Sequence, residues 1–230
     1  MKTLVTGGTG FIGSHVVQSL LAEAYAVRLL SRSPEIPEKL KGENIEVVQG
    51  DLEAPDSVIN AMEGVDLFYH IGEIKNITKA QADKNIRLME NIVDNLNAKG
   101  IKRFVFVSSI TVAGVPSELP AVEETMSKVM LNDHYTAYKR RGEEIIRERA
   151  EGCEYAIVRP APVYGPGSRY LGRMVSVIET LGPIGLPFIG DAKNITPLIQ
   201  VKDLAQAIVL AGQRPEAAEK WTPKVGQVWG

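Results

Sequence analysis

The chain has 230 residues, 44% of them hydrophobic, and a formal net charge of −2. That composition supplies one substantial core with room for a small appended lobe, and it offers no basic footprint for nucleic acid or an anionic membrane. The single cysteine, Cys153, excludes an internal disulfide and a cysteine-cluster metal site and reads as a small core-filling residue. With no signal-peptide pattern, no apolar run near the ~18 residues of a membrane span and no internal repeat, a cytoplasmic protein with no metal site is expected.

Residues 3 to 13, Thr-Leu-Val-Thr-Gly-Gly-Thr-Gly-Phe-Ile-Gly, put a glycine-rich turn between an apolar run and a helical pattern. Gly8, Gly10 and Gly13 satisfy G-x-G-x-x-G, and Gly7, Gly10 and Gly13 give the tighter G-x-x-G-x-x-G spacing. Glycine in such a turn lets the backbone bend sharply, approach a pyrophosphate closely and pack the next helix on its strand. A helix over roughly Ile12 to Glu23 directs its unpaired N–H groups and positive dipole end at the phosphates. The order strand, turn, helix therefore predicts a dinucleotide site.

Further along, β-branched runs alternate with amphipathic stretches. Strands are predicted at Thr3 to Thr6, Ala26 to Ser31, Ile45 to Gln49, Leu67 to Ile71, Arg103 to Ser108 and Tyr155 to Arg159, and helices at Ser14 to Ala24, Pro55 to Met62, Lys79 to Lys99 and Tyr135 to Glu151. Apolar strands alternating with helices imply an α/β fold, a doubly wound parallel sheet whose ligands lie at the carboxyl ends of the strands. After Pro160 the chain becomes rich in glycine and proline, which predicts a loop-rich lobe for the substrate.

The end of the second predicted strand should set the choice of dinucleotide. Ser31-Arg32 stands there instead of an acid, and a guanidinium pairs with a 2′-phosphate that a carboxylate would repel, so NADP is favoured over NAD. The alternatives are that Arg32 is a solvated surface arginine, or that Arg28 or Lys41 supplies the charge. Asp51, after the third strand, either accepts from the adenine amino group or is a simple turn aspartate.

Tyr135 and Lys139 are four apart on a predicted helix and so share a face. A nearby ammonium favours phenolate and is expected to lower the tyrosine pKa from its ordinary value near 10. Tyr135 would then exchange a proton with a hydroxyl or carbonyl oxygen while hydride passes to or from nicotinamide; the alternative is an ordinary surface pair. Tyr138 reads as packing. Ser109, at the carboxyl end of a central strand, is placed to hydrogen-bond the reacting oxygen, and it lacks the G-x-S-x-G elbow of a hydrolase.

Seven ordered motifs now stand together: TGGTGFIG at 6 to 13, Gly-Asp-Leu at 50 to 52, His70 with Asn85 and Asn91, Val-Ser-Ser at 107 to 109, Tyr-x-x-x-Lys at 135 to 139, Arg-Pro-x-x-Val-Tyr-Gly-Pro-Gly at 159 to 167, and Val-x-Asp-Leu-Ala at 201 to 205. On these the chain resembles an extended short-chain dehydrogenase/reductase of the NAD-dependent epimerase/dehydratase family, across nearly its whole length. The resemblance implies a Rossmann-type doubly wound sheet over residues 1–160 and a small substrate lobe with a returning sheet element over 161–230. It implies Ser109, Tyr135 and Lys139 as the catalytic triad, with Lys139 also holding the nicotinamide ribose. It implies cofactor contacts at Gly7, Gly10, Phe11, Ile12, Gly13, Arg32, Asp51, Leu52, His70, Pro160 and Val163, and a homodimer through the helices at Lys79 to Lys99 and Tyr135 to Glu151.

Departures from the family pattern narrow the reaction. Dehydratases of the family carry an Asp-Glu pair where this chain has Ile110-Thr111, which argues against a 4,6-dehydratase. The diphosphate arginine of nucleotide-sugar epimerases is missing before Val201, with Arg169 or Arg173 as substitutes, and the usual His-x-Ala-Ala reads His70-Ile71-Gly72-Glu73. The Arg28-x-x-x-Arg32 end of the second strand resembles an NADPH-dependent dihydroflavonol-reductase-like branch. Relatives continue past the segment matching Gly226 to Gly230, so a reduced substrate lobe is expected. The expected reaction is epimerisation of a sugar derivative, a small-molecule substrate, through a transient ketone. The alternatives are carbonyl reduction by NADPH and a non-catalytic sensor or scaffold that binds the nucleotide.

Overall fold

The structure is a computed structural model that describes residues 1–75, 78–114, 133–168, 172, 176–177, 179–180 and 197–217. Six short apolar runs become strands β1 (Lys2–Thr6), β2 (Ala26–Ser31), β3 (Ile45–Gln49), β4 (Leu67–His70), β5 (Arg103–Val107) and β6 (Glu154–Val158). They pair in parallel in the order β3-β2-β1-β4-β5-β6, the strand order of a Rossmann-type doubly wound sheet.

Alternation along each strand divides the core. Val5, Leu29, Tyr69, Val105 and Ala156 share one register row and face one side, while Leu4, Phe68 and Phe104 face the other. The first face is covered by α1 (Phe11–Ala22) and α5 (Val201–Gln213), through Val16, Val17, Leu20, Leu204 and Ile208. The second is covered by α2 (Pro55–Ala61), α3 (Lys79–Asn95) and α4 (His134–Arg149), through Val58, Leu88, Ile92, Ile145 and Ile146. Burial of such side chains contributes roughly 1.5–3 kcal/mol each, so the two apolar faces fix the layer order.

Element ends differ from the sequence expectation where hydrogen bonding takes the chain away. β4 stops at His70 because the Ile71 and Gly72 amides both turn to the Thr6 carbonyl, at 3.3 and 3.1 Å. α3 stops at Asn95, short of Lys99, and a turn closes on Gly100 at φ 72°. α5 lies in the part of the chain that sequence assigns to the second lobe, yet it packs on the main sheet. Tyr69 donates to the Val209 carbonyl at 3.0 Å, and buried Arg103 donates to the carbonyls of Ala211 and Arg214. Two further strands, β7 (Val163–Tyr164) and β8 (Ile199–Gln200), form a separate parallel pair that hands the chain to α5. Arg169, Arg173 and Gly226 to Gly230 lie outside the described residues.

Candidate active site

A cleft of about 700 Å³ opens over the carboxyl ends of the central strands, where β1 and β4 end side by side at Thr6 and His70. Its floor is the turn from β1 into α1. Gly7 adopts φ +72°, and a Cβ there would stand 2.5 Å from the Gly72 backbone; one on Gly13 would stand 2.2 Å from the Gly7 carbonyl oxygen. Only glycine permits that approach. Gly10 is the N-cap of α1 and no side chain caps it, so the first-turn amides and the positive dipole end face the cleft. This cradle fits a pyrophosphate.

At one end of the cleft lie Arg32, Asp51 and Leu52. Arg32 is exposed and also lines an adjoining recess of about 970 Å³ with Ser33 and Lys41. Arg28 is engaged elsewhere: its guanidinium binds Glu46 and donates to the carbonyls of Ala61 and Glu63 at 2.7 and 2.6 Å. It therefore does not supply charge to the cleft. Asp51 accepts the Glu53 amide at 3.0 Å through Oδ1, so it is a turn aspartate that also lines the cleft.

At the other end stand Ser109, Thr111, Tyr135, Lys139, Pro160 and Val163. Ser109 caps a short 3-10 turn, Ile110–Ala113, and its Oγ accepts from the Thr111 amide at 3.3 Å and the Thr111 hydroxyl at 3.0 Å. Those bonds occupy the acceptor side of Ser109 and leave its proton to donate. Its hydroxyl is hydrogen-bonded with Tyr135. Asp133 starts α4 by accepting from the Thr136 amide and hydroxyl at 2.8 and 2.7 Å, which sets the rotation that brings Tyr135 and Lys139 into the cleft.

Electrostatics here differ from the sequence expectation. Burial pushes the Tyr135 phenol up to about 12, with the Glu73 carboxylate raising it further and the Ser109 hydrogen bond pulling it down. The expected lowering by Lys139 is not seen, because burial dominates and a carboxylate stands beside the lysine. Tyr135 is thus a protonated acid at neutral pH. Burial lowers the Lys139 pKa, opposed by Glu73 and Glu143; its Nζ donates to the Val107 carbonyl at 2.8 Å and lies 3.6 Å from Glu73 Oε2.

The cleft brings together the expected Gly7, Gly10, Phe11, Ile12, Gly13, Arg32, Asp51, Leu52, Ser109, Tyr135, Lys139, Pro160 and Val163. His70 does not join them. It lies beneath the cleft, 4% exposed, with Nδ1 2.8 Å from the Thr6 hydroxyl and its ring stacked near Phe104 and Phe106. Burial, reinforced by the Lys139 charge, lowers its pKa to about 3 and keeps it neutral. Asn91 sits on the outer side of α3, bonded to the Arg87 carbonyl. Asn85 instead secures the loop after β4: it accepts from the Ile74 amide at 3.0 Å and donates to the Ile74 carbonyl at 3.1 Å.

Sequence reasoning missed Glu73 and Thr111 as site residues. The departure from His-x-Ala-Ala signalled Glu73, and the Ile110-Thr111 substitution signalled Thr111; neither spacing said what the side chains touch. Tyr138, expected to pack, is buried but also donates to Glu73. Among the described residues no cluster of His, Cys, Asp and Glu suits a metal ion, and no helix is long and apolar enough to cross a membrane.

Fold and cleft together define a Rossmann-type α/β protein with a glycine-lined cleft over its strand ends. The chain belongs to the NAD dependent epimerase/dehydratase family, whose model matches residues 3–225. It is 28% identical over 227 residues to the 3beta-hydroxysteroid-dehydrogenase/decarboxylase isoform 2 of Arabidopsis thaliana, covering 90% of this chain and 40% of that protein. It is 24% identical over 226 residues to the 4-hydroxy-2-methyl-3-oxo-4-farnesyl-3,4-dihydroquinoline-1-oxide ketoreductase of Stigmatella aurantiaca, covering 95% and 66%. A crystal structure of a short-chain dehydrogenase/reductase superfamily protein from Agrobacterium tumefaciens with bound NAD superposes with a TM-score of 0.75 at 25% identity, covering 95% of this chain and 76% of that one. The chain thus spans 40% to 66% of the length of these two curated relatives.

Proposed function

We propose that the cleft binds a nicotinamide dinucleotide and that its side chains couple proton transfer to hydride transfer at a hydroxyl or carbonyl carbon of a small molecule. The observation that carries this is the arrangement of one cleft, with the phosphate cradle at Gly7, Gly10 and Gly13 leading to Ser109, Tyr135 and Lys139. When bound, the nicotinamide supplies or accepts the hydride. Tyr135 gives its proton to the substrate oxygen as charge develops there, and takes it back in the reverse direction. Ser109 donates a hydrogen bond to the same oxygen and fixes its distance from Tyr135. Lys139 holds the ribose hydroxyls and places positive charge beneath the phenol. Phe11, Ile12, Asp51, Leu52, Pro160 and Val163 enclose the nucleotide and exclude water.

The substrate class proposed from the family is a sugar derivative, epimerised through a transient ketone. Carbonyl reduction by NADPH is the second reading. It is favoured by exposed Arg32 at the nucleotide end, which suits a 2′-phosphate. A cytoplasmic homodimer through α3 and α4 completes the proposal. Tyr135→Phe tests the chemistry. Turnover, followed as nicotinamide oxidation with carbonyl compounds or interconversion of nucleotide sugars, should fall by at least roughly 10²-fold, with nucleotide affinity little changed. Undiminished turnover would remove Tyr135 from the mechanism and give its role to a different acid.

A further inference from the structure

Lys139 occupies a poor seat for a cation. Its side chain is 4% exposed, one carbonyl accepts from its Nζ, and the rings of Phe106, Tyr138 and Tyr135 lie 5.0, 5.2 and 5.8 Å away. A buried ammonium without a counter-charge sheds its proton. Rings and a single carbonyl offset only part of that tendency.

Among the described residues the charged and titratable groups around it are few. From its own helix, Glu143 also favours the ammonium, but it is fully buried and engaged by others: it accepts from Arg159 at 2.8 and 2.6 Å, from Arg147 at 2.9 Å and from Ser108 at 2.6 Å. Two guanidinium groups share one carboxylate there. Asp133 is engaged in capping α4. From β4, His70 is neutral. From the loop after β4, Lys75 lines the same cleft and adds charge of the same sign. Glu73 remains, with Oε2 at 3.6 Å from Nζ and accepting from the Tyr138 hydroxyl.

Its backbone is pinned on both sides. The Gly72 amide donates to Thr6 at 3.1 Å, and Ile74 is bonded in both directions by Asn85. Where the family pattern His-x-Ala-Ala ends on alanine, this chain places a carboxylate on a fixed stretch of backbone.

We propose that Glu73 is a positioning residue, the counter-ion that keeps Lys139 an ammonium in its buried seat and ties it to Tyr138. This rests on the role given to Lys139 above. Because Glu73 draws on the same ammonium that would otherwise favour phenolate, it also keeps Tyr135 protonated. The raised Tyr135 pKa, with Glu73 the second cause after burial, agrees with that division of charge.

The test reads the lysine itself. In the full chain labelled with ¹³Cε-lysine, the Lys139 resonance is assigned by its loss in Lys139→Arg and titrated from about pH 6 to 11 by NMR. Glu73→Gln should lower its midpoint by about one pH unit or more, and Glu73→Asp, which keeps the charge, should recover most of that shift. Tyr138→Phe, which releases the carboxylate without removing it, should lower the midpoint by less. An unchanged midpoint in Glu73→Gln overturns the proposal; if that variant loses native spectral dispersion, Glu73→Ala is read in its place, with the same lowering expected and an unchanged midpoint overturning the proposal. Neither nucleotide nor substrate is present, so failure of the Tyr135→Phe test leaves this result readable on its own.

Discussion

Arg28 on β2 and Arg32, just past its end, stand four residues apart and meet different fates. Arg28 is held by Glu46 and two carbonyls, whereas Arg32 is exposed between the cleft and its adjoining recess. A charge-assisted pair to a 2′-phosphate contributes roughly 1.5–3 kcal/mol, so Arg32→Ala should weaken NADPH binding about tenfold or more and NADH binding little. Calorimetric titration of both nucleotides checks this, and equal losses would make Arg32 structural. The Tyr135–Lys139 spacing was legible because a helix places residues four apart on one face. Glu73 was not, because it meets Tyr138 across 65 residues of chain, a distance no local pattern spans. His70 reads as a cleft residue by its motif, yet β4 aims its ring between Phe104 and Phe106. The alternation of a strand decided the matter.

Among the elements, α4 does the most to join fold and site. One of its faces carries Tyr135 and Lys139 to the cleft, while Glu143, one turn beyond Lys139, anchors the helix to Arg159 just past β6 and to Ser108 just past β5. Removing one partner of a buried pair strands the other, at a cost of about 3–5 kcal/mol. Glu143→Ala should show that loss in denaturant unfolding at neutral pH. Burial opposes the Glu143 charge, but the hydrogen bonds and charge of Arg159 hold its carboxyl below the usual range. The stabilisation is therefore present at neutral pH and is lost as pH falls through that depressed value, so the gap between wild type and Glu143→Ala should narrow in acid. A gap independent of pH would mean that the ion pair is not its source. The β1–turn–α1 unit was legible because glycine spacing and flanking patterns act within eleven residues. α5 escaped reading as a helix despite apolar Val201, Leu204, Ala205, Ile208 and Val209 at helical spacing, because the glycine- and proline-rich stretch before it suggested a loop-rich lobe.

For the molecule as a whole, the strand order β3-β2-β1-β4-β5-β6 puts the reversal of winding between β1 and β4, and the cleft lies over that point. Apolar strands alternating with amphipathic helices made the parallel sheet legible, and the position of the cleft follows from the topology. The division of the chain at residue 160 did not anticipate that Arg103 and Tyr69 draw α5 back onto the main sheet. Those are contacts over more than a hundred residues, made by side chains whose partners are backbone carbonyls. The central claim is that this cleft binds a nicotinamide dinucleotide through the glycine turn. Its most direct test is titration of the full chain with NADPH and NADH by fluorescence, beside Gly13→Ala, whose Cβ would stand 2.2 Å from the Gly7 carbonyl oxygen. The account predicts saturable binding to the wild type, tighter for NADPH, and its loss in a Gly13→Ala variant that remains folded; absence of binding to the wild type, or binding undiminished in the variant, would contradict it.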